Sequence, residues 1–224
     1  DLQVLSGEEE ARLTFLAARR WFGWSSGRLL VIDIGGGSLE MAVGVDESPE
    51  VAISLPLGAA RLTNKFLKGD PYTDKSIRSL RDHVEEKLEQ ILPNLVKHQD
   101  SDRAIATSKT LRTLARLTGD WFDGNGKNIT ADAIRKLSAK LSEMDNGERA
   151  KLPGVSENRA SQIVAGAFVA ESVMRNLDIA ELEIRIAAKT EHQYNKITSA
   201  MFLFLIVSGG GYFLENQKLV DIDL

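Results

Sequence analysis

Leu29 to Gly44 reads LLVIDIGGGSLEMAVG, and the fold turns on this stretch. Leu29–Ile34 is an apolar, β-branched run broken by one acid, Asp33. Gly35-Gly36-Gly37-Ser38 makes a turn, after which Leu39, Met41, Val43 and Val45 alternate with Glu40, Ala42 and Gly44. A period of two marks a strand that buries one face. Asp46 to Glu50 turns again, and Val51 to Leu57 supplies a third strand. Three strands in succession on tight turns predict an antiparallel meander.

Upstream, Ser6 with Glu9 three residues later fits a capping box. Leu13, Leu16, Ala17 and Trp21 form a helical stripe, so a helix is expected from about Gly7 to Trp21, closed by Ser25-Ser26-Gly27. Downstream, helices are expected over Gly58 to Lys68, from Thr73 or Asp74 through Val96, after Ser108 through Leu117, over Thr130 to Met144, and over Ser156 to Leu177. Arg103 to Thr107 and Ala180 to Ile184 read as short strands, Thr118 to Asn128 and Asp145 to Val155 as loops. A meander leading into alternating helices and strands predicts an α/β fold with a mixed sheet. Its layout is that of the ribonuclease-H-like half of actin-like ATPase superfamily domains, an analogy of fold that does not by itself assign function.

Composition narrows the functions. Twenty-eight Lys and Arg stand against 32 Asp and Glu, a formal net charge of −4. That balance argues against general nucleic-acid binding, which needs clustered basic charge. With no cysteine in 224 residues, disulfides, zinc–thiolate sites and a thiol nucleophile are excluded, which is compatible with a cytoplasmic protein. His83, His98 and His192 lack metal-ligand spacing. The apolar run Ala200 to Phe213 is shorter than the roughly 20 residues of a membrane span and is interrupted by three glycines, so a buried strand and turn is expected and no membrane partner.

The glycine turn is the chemical feature. Without Cβ atoms, its backbone N–H groups can close around an anion, and Ser38 adds a hydroxyl. Asp33 sits at the end of a buried strand, where a carboxylate is costly unless it meets a cation or a donor. Glu40 starts the opposite arm. Two carboxylates flanking a phosphate cradle suit a Mg²⁺-bound phosphoryl group; a glycine-rich hairpin with an exposed acid fits the spacing equally well. A Walker A loop is excluded, because its Lys-Ser/Thr ending is missing and a strand follows. Arg61 with Lys65, and Lys109 with Arg112 and Arg116, share helix faces by spacing. Ser108-Lys109-Thr110 opens a helix after a strand, a place that attracts anions. Either patch could carry a polyanionic tail or be plain solvated surface. Arg159 and Gln162 are further candidates for the same cleft.

VLSGEEEARLTF (Val4 to Phe15) followed by LLVIDIGGGSLEMAVG resembles the exopolyphosphatase / guanosine pentaphosphate phosphohydrolase (Ppx/GppA) family. SLPLGAARLT (Ser54 to Thr63), AIATSKTLRTLARLTG (Ala104 to Gly119) and the segment Leu152 to Ile184 continue the likeness in order, nearest to the actinobacterial exopolyphosphatase-like branch. The resemblance implies an actin-like fold and Mg²⁺-dependent hydrolysis of terminal phosphoanhydrides in polyphosphate or a (p)ppGpp-type substrate. It implies Gly35, Gly36, Gly37 and Ser38 as a phosphate loop, with Arg61, Ser108 and Lys109 as further phosphate-binding candidates. Asp33 and Glu40 would stand at the metal, Glu40 also near the attacking water, and Glu10 would be the catalytic carboxylate. Read without the resemblance, Glu8-Glu9-Glu10 simply complements a helix dipole.

The expected organisation is a linking helix over 1–27, an actin-like second domain over 28–184 with a helical insertion at about 120–155, and an unmatched tail over 185–224. The family's N-terminal domain, which completes the cleft, is expected to be missing from this chain. This chain alone is therefore expected to be nearly inactive, or to act as a non-catalytic phosphate-binding module, and to self-associate, with a homodimer the candidate assembly. Leu13, Phe15, Leu16, Trp21, Phe22 and Trp24 are the candidate uncovered apolar residues. In the tail, Val207 to Gly211 is read as a buried turn.

Overall fold

The computed structural model describes residues 5–95, 101–122 and 124–184. The run Ala200 to Phe213 and the expected turn at 207–211 lie outside them.

Helix α1 covers Gly7–Phe22. Its N-terminus is the expected capping box: Glu9 N–H donates to Ser6 Oγ, and Ser6 N–H donates to Glu9 Oε2 at 2.7 Å. The meander follows as β1 (Leu29–Ile34), β2 (Leu39–Gly44) and β3 (Val51–Leu55). Then come α2 (Ala59–Phe66), α3 (Asp74–Glu89), α4 (Leu92–Leu95), β4 (Arg103–Ala106), α5 (Lys109–Trp121), β5 (Asn128–Thr130) and α6 (Ala131–Glu143). The described chain closes with α7 (Asn146–Ala150), α8 (Glu157–Ala160), α9 (Ile163–Asn176) and β6 (Glu181–Ile184). The sheet order is β3-β2-β1-β4-β6-β5. β1, β2 and β3 pair antiparallel, β1, β4 and β6 parallel, and β5 returns antiparallel on β6.

Strand alternation divides the interior. Leu30, Ile32 and Ile34 with Leu39, Met41 and Val43 enter the larger core, which they share with α3, α5, α6 and α9. Leu29, Val31, Ala42 and Ile105 face the other way, under Ala11, Phe15 and Ala18 of α1. Phe15 is thus fully buried rather than left uncovered, and Phe22 packs at the edge of the same cluster. Leu13 and Leu16 are half-buried, while Trp21 and Trp24 stay exposed.

Several boundaries differ from expectation. The helix expected through Val96 stops at Glu89 and resumes as α4, because the Pro93 ring clashes with the carbonyl four residues back. The expected helix over 156–177 breaks at Ser161, whose carbonyl accepts from Tyr72 Oη at 2.8 Å and from Thr63 Oγ1. The expected loop Thr118–Asn128 is helical to Trp121, and Asn128 begins β5, whose Ile129 is fully buried. The expected loop Asp145–Val155 contains α7 behind a second capping box, Asp145 with Glu148. Among the described residues, no helix is long and apolar enough to cross a membrane.

Buried Arg19 fixes α1 to the sheet. Its Nη2 donates to the carbonyls of Gly27 and Gly44 at 2.8 Å each, and Nη1 donates to Ser26 Oγ at 2.9 Å. Arg19→Met keeps the apolar stem but strands those buried acceptors. We expect it to cost about 2–3 kcal/mol of stability, read from the urea unfolding midpoint.

Candidate active site

Hairpin register sets the site. Asp33 lies opposite Glu40 across β1 and β2, and Glu40 lies opposite Ser54 across β2 and β3. Directly paired residues share a sheet face, so both carboxylates stand on the α1 side. Glu40 is only 4% exposed. Its Oε1 accepts from Ser54 Oγ at 3.0 Å. Burial pushes its carboxyl above the usual range; hydroxyl hydrogen bonds from Ser38 and Ser54 pull it back, and the charges of Glu10 and Asp33 push it up again. Asp33 is raised first by burial and lowered by Thr107 and the nearby Arg112. Thr107 Oγ1 donates to Asp33 Oδ2 at 2.7 Å.

The glycine turn is anchored from one side. Gly35 N–H donates to Ser38 O at 2.9 Å, closing the turn. First-turn N–H groups of α2 then take its carbonyls: Ala59 N–H donates to Gly35 O at 2.9 Å and Arg61 N–H to Gly36 O at 3.0 Å. Arg61 Nε donates to Gly37 O at 2.7 Å. In a trans peptide the N–H points opposite to the C=O. Carbonyls of Gly35 and Gly36 drawn into α2 therefore turn the N–H groups of Gly36 and Gly37 away from it.

Space around these glycines separates two roles. A Cβ on Gly58 would lie 2.2 Å from the Gly37 carbonyl carbon and 2.3 Å from Ser38 N, so only glycine lets α2 seat the turn. A Cβ on Gly37 would meet nothing within 4 Å, and one on Gly36 only Ala60 at 3.8 Å. Neither has a positive φ. The protein's own packing does not require glycine at 36 or 37; the open volume suits a ligand's close approach to the backbone.

Glu10 is exposed in the first turns of α1, near enough for its charge to act on Glu40. The helix start is seated on the same pair: a Cβ on Gly7 would fall 2.2 Å from Ser54 Oγ. Glu10, Asp33, Glu40, Ser38 and the turn are thus gathered at one end of the sheet, with Arg61 behind the turn. Ser108 and Lys109 directly follow Thr107, which bonds Asp33, but their own side chains make no hydrogen bond to the turn or the carboxylates among the described residues. Ser108 Oγ caps α5 by accepting from Leu111 N–H at 3.2 Å, and Lys109 is exposed. Ser54, Thr107, Gly7 and Gly58 escaped the sequence reading. Ser54 and Thr107 become visible once strand register is known; the two glycines become visible only when the helices are in place.

Two facing carboxylates with raised proton affinity fit a divalent cation. Among the described residues no group of three or more His, Asp or Glu could hold a metal. The protein would supply two oxygen donors and leave the rest to water and phosphate, a usual arrangement for Mg²⁺.

The Ppx/GppA phosphatase family model matches residues 1–191. The chain belongs to the Ppx/GppA phosphatase family. It is 52% identical over 188 residues to Exopolyphosphatase 1 of Mycobacterium tuberculosis, covering 82% of this chain and 55% of that protein. Exopolyphosphatase 1 of Mycobacterium leprae is 51% identical over 187 residues, with the same coverage. The chain therefore spans about half the length of the curated relatives it matches. Among solved structures, the Aquifex aeolicus Ppx/GppA family member superposes with a TM-score of 0.67 at 27% identity, over 81% of this chain and 59% of that one. An exopolyphosphatase from Cytophaga hutchinsonii shares the fold, with a TM-score of 0.73 at 21% identity over 89% and 66% of the two chains. The expected actin-like, mixed-sheet fold is the fold of this Ppx/GppA chain.

Two substitutions separate the glycine roles. Gly58→Ala should lose about 1–3 kcal/mol through overpacking. Gly37→Val should leave stability within about 0.5 kcal/mol yet abolish tripolyphosphate binding, because its methyl groups occupy the cradle. Urea unfolding and titration calorimetry on the same samples test both.

Proposed function

We propose that this chain supplies one wall of an exopolyphosphatase-type site that hydrolyses the terminal phosphoanhydride of inorganic polyphosphate. The carrying observation is the hairpin itself: outward N–H groups of Gly36 and Gly37 at its tip, Asp33 and Glu40 on its arms, and Glu10 above them. Exopolyphosphatase 1 of Mycobacterium tuberculosis, at 52% identity, supports polyphosphate over a guanosine pentaphosphate.

In this reading the turn's N–H groups hold the terminal phosphoryl oxygens, and the Ser38 hydroxyl, bonded to Glu40 in the free protein, turns to join them when phosphate binds. Arg61 holds the turn in shape through Gly37 O. Hydrolysis joins a water oxygen to the terminal phosphorus and breaks that phosphorus's bond to the bridging oxygen. Glu10 accepts the water's proton. The products are orthophosphate and a polyphosphate one unit shorter. Mg²⁺, held by Asp33 and Glu40, would neutralise charge on the phosphoryl oxygens. A domain preceding this chain, of the kind the family resemblance implies, would close the other side and exclude water, which strengthens every electrostatic contact.

Phosphate release from polyphosphate and from guanosine pentaphosphate, measured side by side on the protein joined to such a domain, tests the assignment. Faster release from the nucleotide overturns the substrate. Glu10→Gln keeps the shape but accepts no proton, so turnover should fall ~10²–10⁴-fold with substrate affinity nearly unchanged. Near-normal turnover would reduce Glu10 to a helix-dipole partner.

A further inference from the structure

Four side chains stand in line across four neighbouring strands: Ser54, Glu40, Asp33 and Thr107. Ser54, Glu40 and Asp33 are successive cross-strand partners. Thr107 follows β4, its N–H donating to Ile32 O at 3.2 Å, so it continues the row beside Asp33. The acids are in the middle and a hydroxyl flanks each from outside. Ser54 Oγ reaches Glu40 Oε1 at 3.0 Å and Thr107 Oγ1 reaches Asp33 Oδ2 at 2.7 Å. We propose that Ser54 and Thr107 are positioning residues that fix the two carboxylates for a divalent cation, Thr107 holding one Asp33 oxygen so that the other faces the ion, and Ser54 holding Glu40 Oε1 alongside the Ser38 hydroxyl.

Three observations support this. A hydroxyl has one proton and gives it to one carboxylate oxygen. Asp33 Oδ1 is left without a hydrogen bond among the described residues, available as a ligand. The donors are also uncharged: Arg or Lys in either place would neutralise the carboxylate and compete with the cation, whereas a hydroxyl orients it and leaves its charge intact. Finally, Ser54 is itself confined, because the start of α1 at Gly7 approaches too closely to admit a Cβ beside it. Partners of this kind around metal ligands typically govern 10–100-fold in affinity.

The inference rests on the cation reading of Asp33 and Glu40, and the test separates the two. Mn²⁺ binding to the chain is measured by calorimetry and by the loss of the free-ion spin-resonance signal, with urea unfolding to verify each variant's fold. Asp33→Asn serves as the reference and should lose binding. Thr107→Val and Ser54→Ala should each weaken Mn²⁺ by about 10–100-fold, and Thr107→Ser should restore it. If Thr107→Val proves unfolded, Ser54→Ala decides alone. Equal Mn²⁺ affinity in wild type and Asp33→Asn refutes the cation reading and this inference with it. Loss in Asp33→Asn, with Thr107→Val and Ser54→Ala binding like wild type but unfolding earlier, leaves the cation reading intact and overturns the positioning role.

Discussion

Two carboxylates held face to face at the end of an otherwise apolar sheet are the constraint around which the described structure is arranged. Asp33 and Glu40 are register partners, and the residues before Asp33 in β1 are buried among hydrocarbon. Burying a carboxylate is unfavourable unless something compensates it, and placing a second one opposite adds repulsion. Among the described residues neither forms a salt bridge, Arg112 acting on Asp33 through its charge alone; hydroxyls bond both instead. A core built only for stability would place apolar pairs here, as it does one step back along each strand with Ile32 and Met41.

The neighbouring elements meet that constraint through backbone as much as through side chains. The Gly35–Ser38 turn and the start of α2 satisfy one another: the helix has orphan N–H groups, the turn has carbonyls in need of donors, and Gly58 lets them touch. Helix α1 is held at both ends, by Arg19 on the carbonyls of Gly27 and Gly44 and by Gly7 against Ser54. Glu10 consequently stands on a helix whose position over the sheet is set twice.

Much of this was legible in the sequence. Alternation across Leu29–Gly44 placed both arms of the hairpin, and a four-residue turn between them made Asp33 and Glu40 opposite. Ser6 and Glu9 announced the start of α1. What could not be read depends on distant contacts. The three-residue strand at Asn128 is too short to show a period, and it exists because β6 offers an edge. The break at Ser161 follows from donors on Tyr72 and Thr63, about a hundred positions earlier. Ser108 was legible as the first residue of a helix after a strand, but its oxygen turns to its own helix. Thr107 carried no local signal because its role comes from the parallel register of β4 beside β1. The capping box at Asp145 and Glu148 was there to be read, and α7 behind it was the avoidable miss.

The contact between Gly7 and Ser54 makes the side-chain volumes at these two positions a shared quantity. They are far apart in the chain, on a helix and on an edge strand, yet together they occupy a space that holds one small side chain. A lineage that enlarges one must shrink the other or lift the helix from the sheet. Positions 7 and 54 should therefore vary in concert across related chains, and the combination of a large residue at both should be missing.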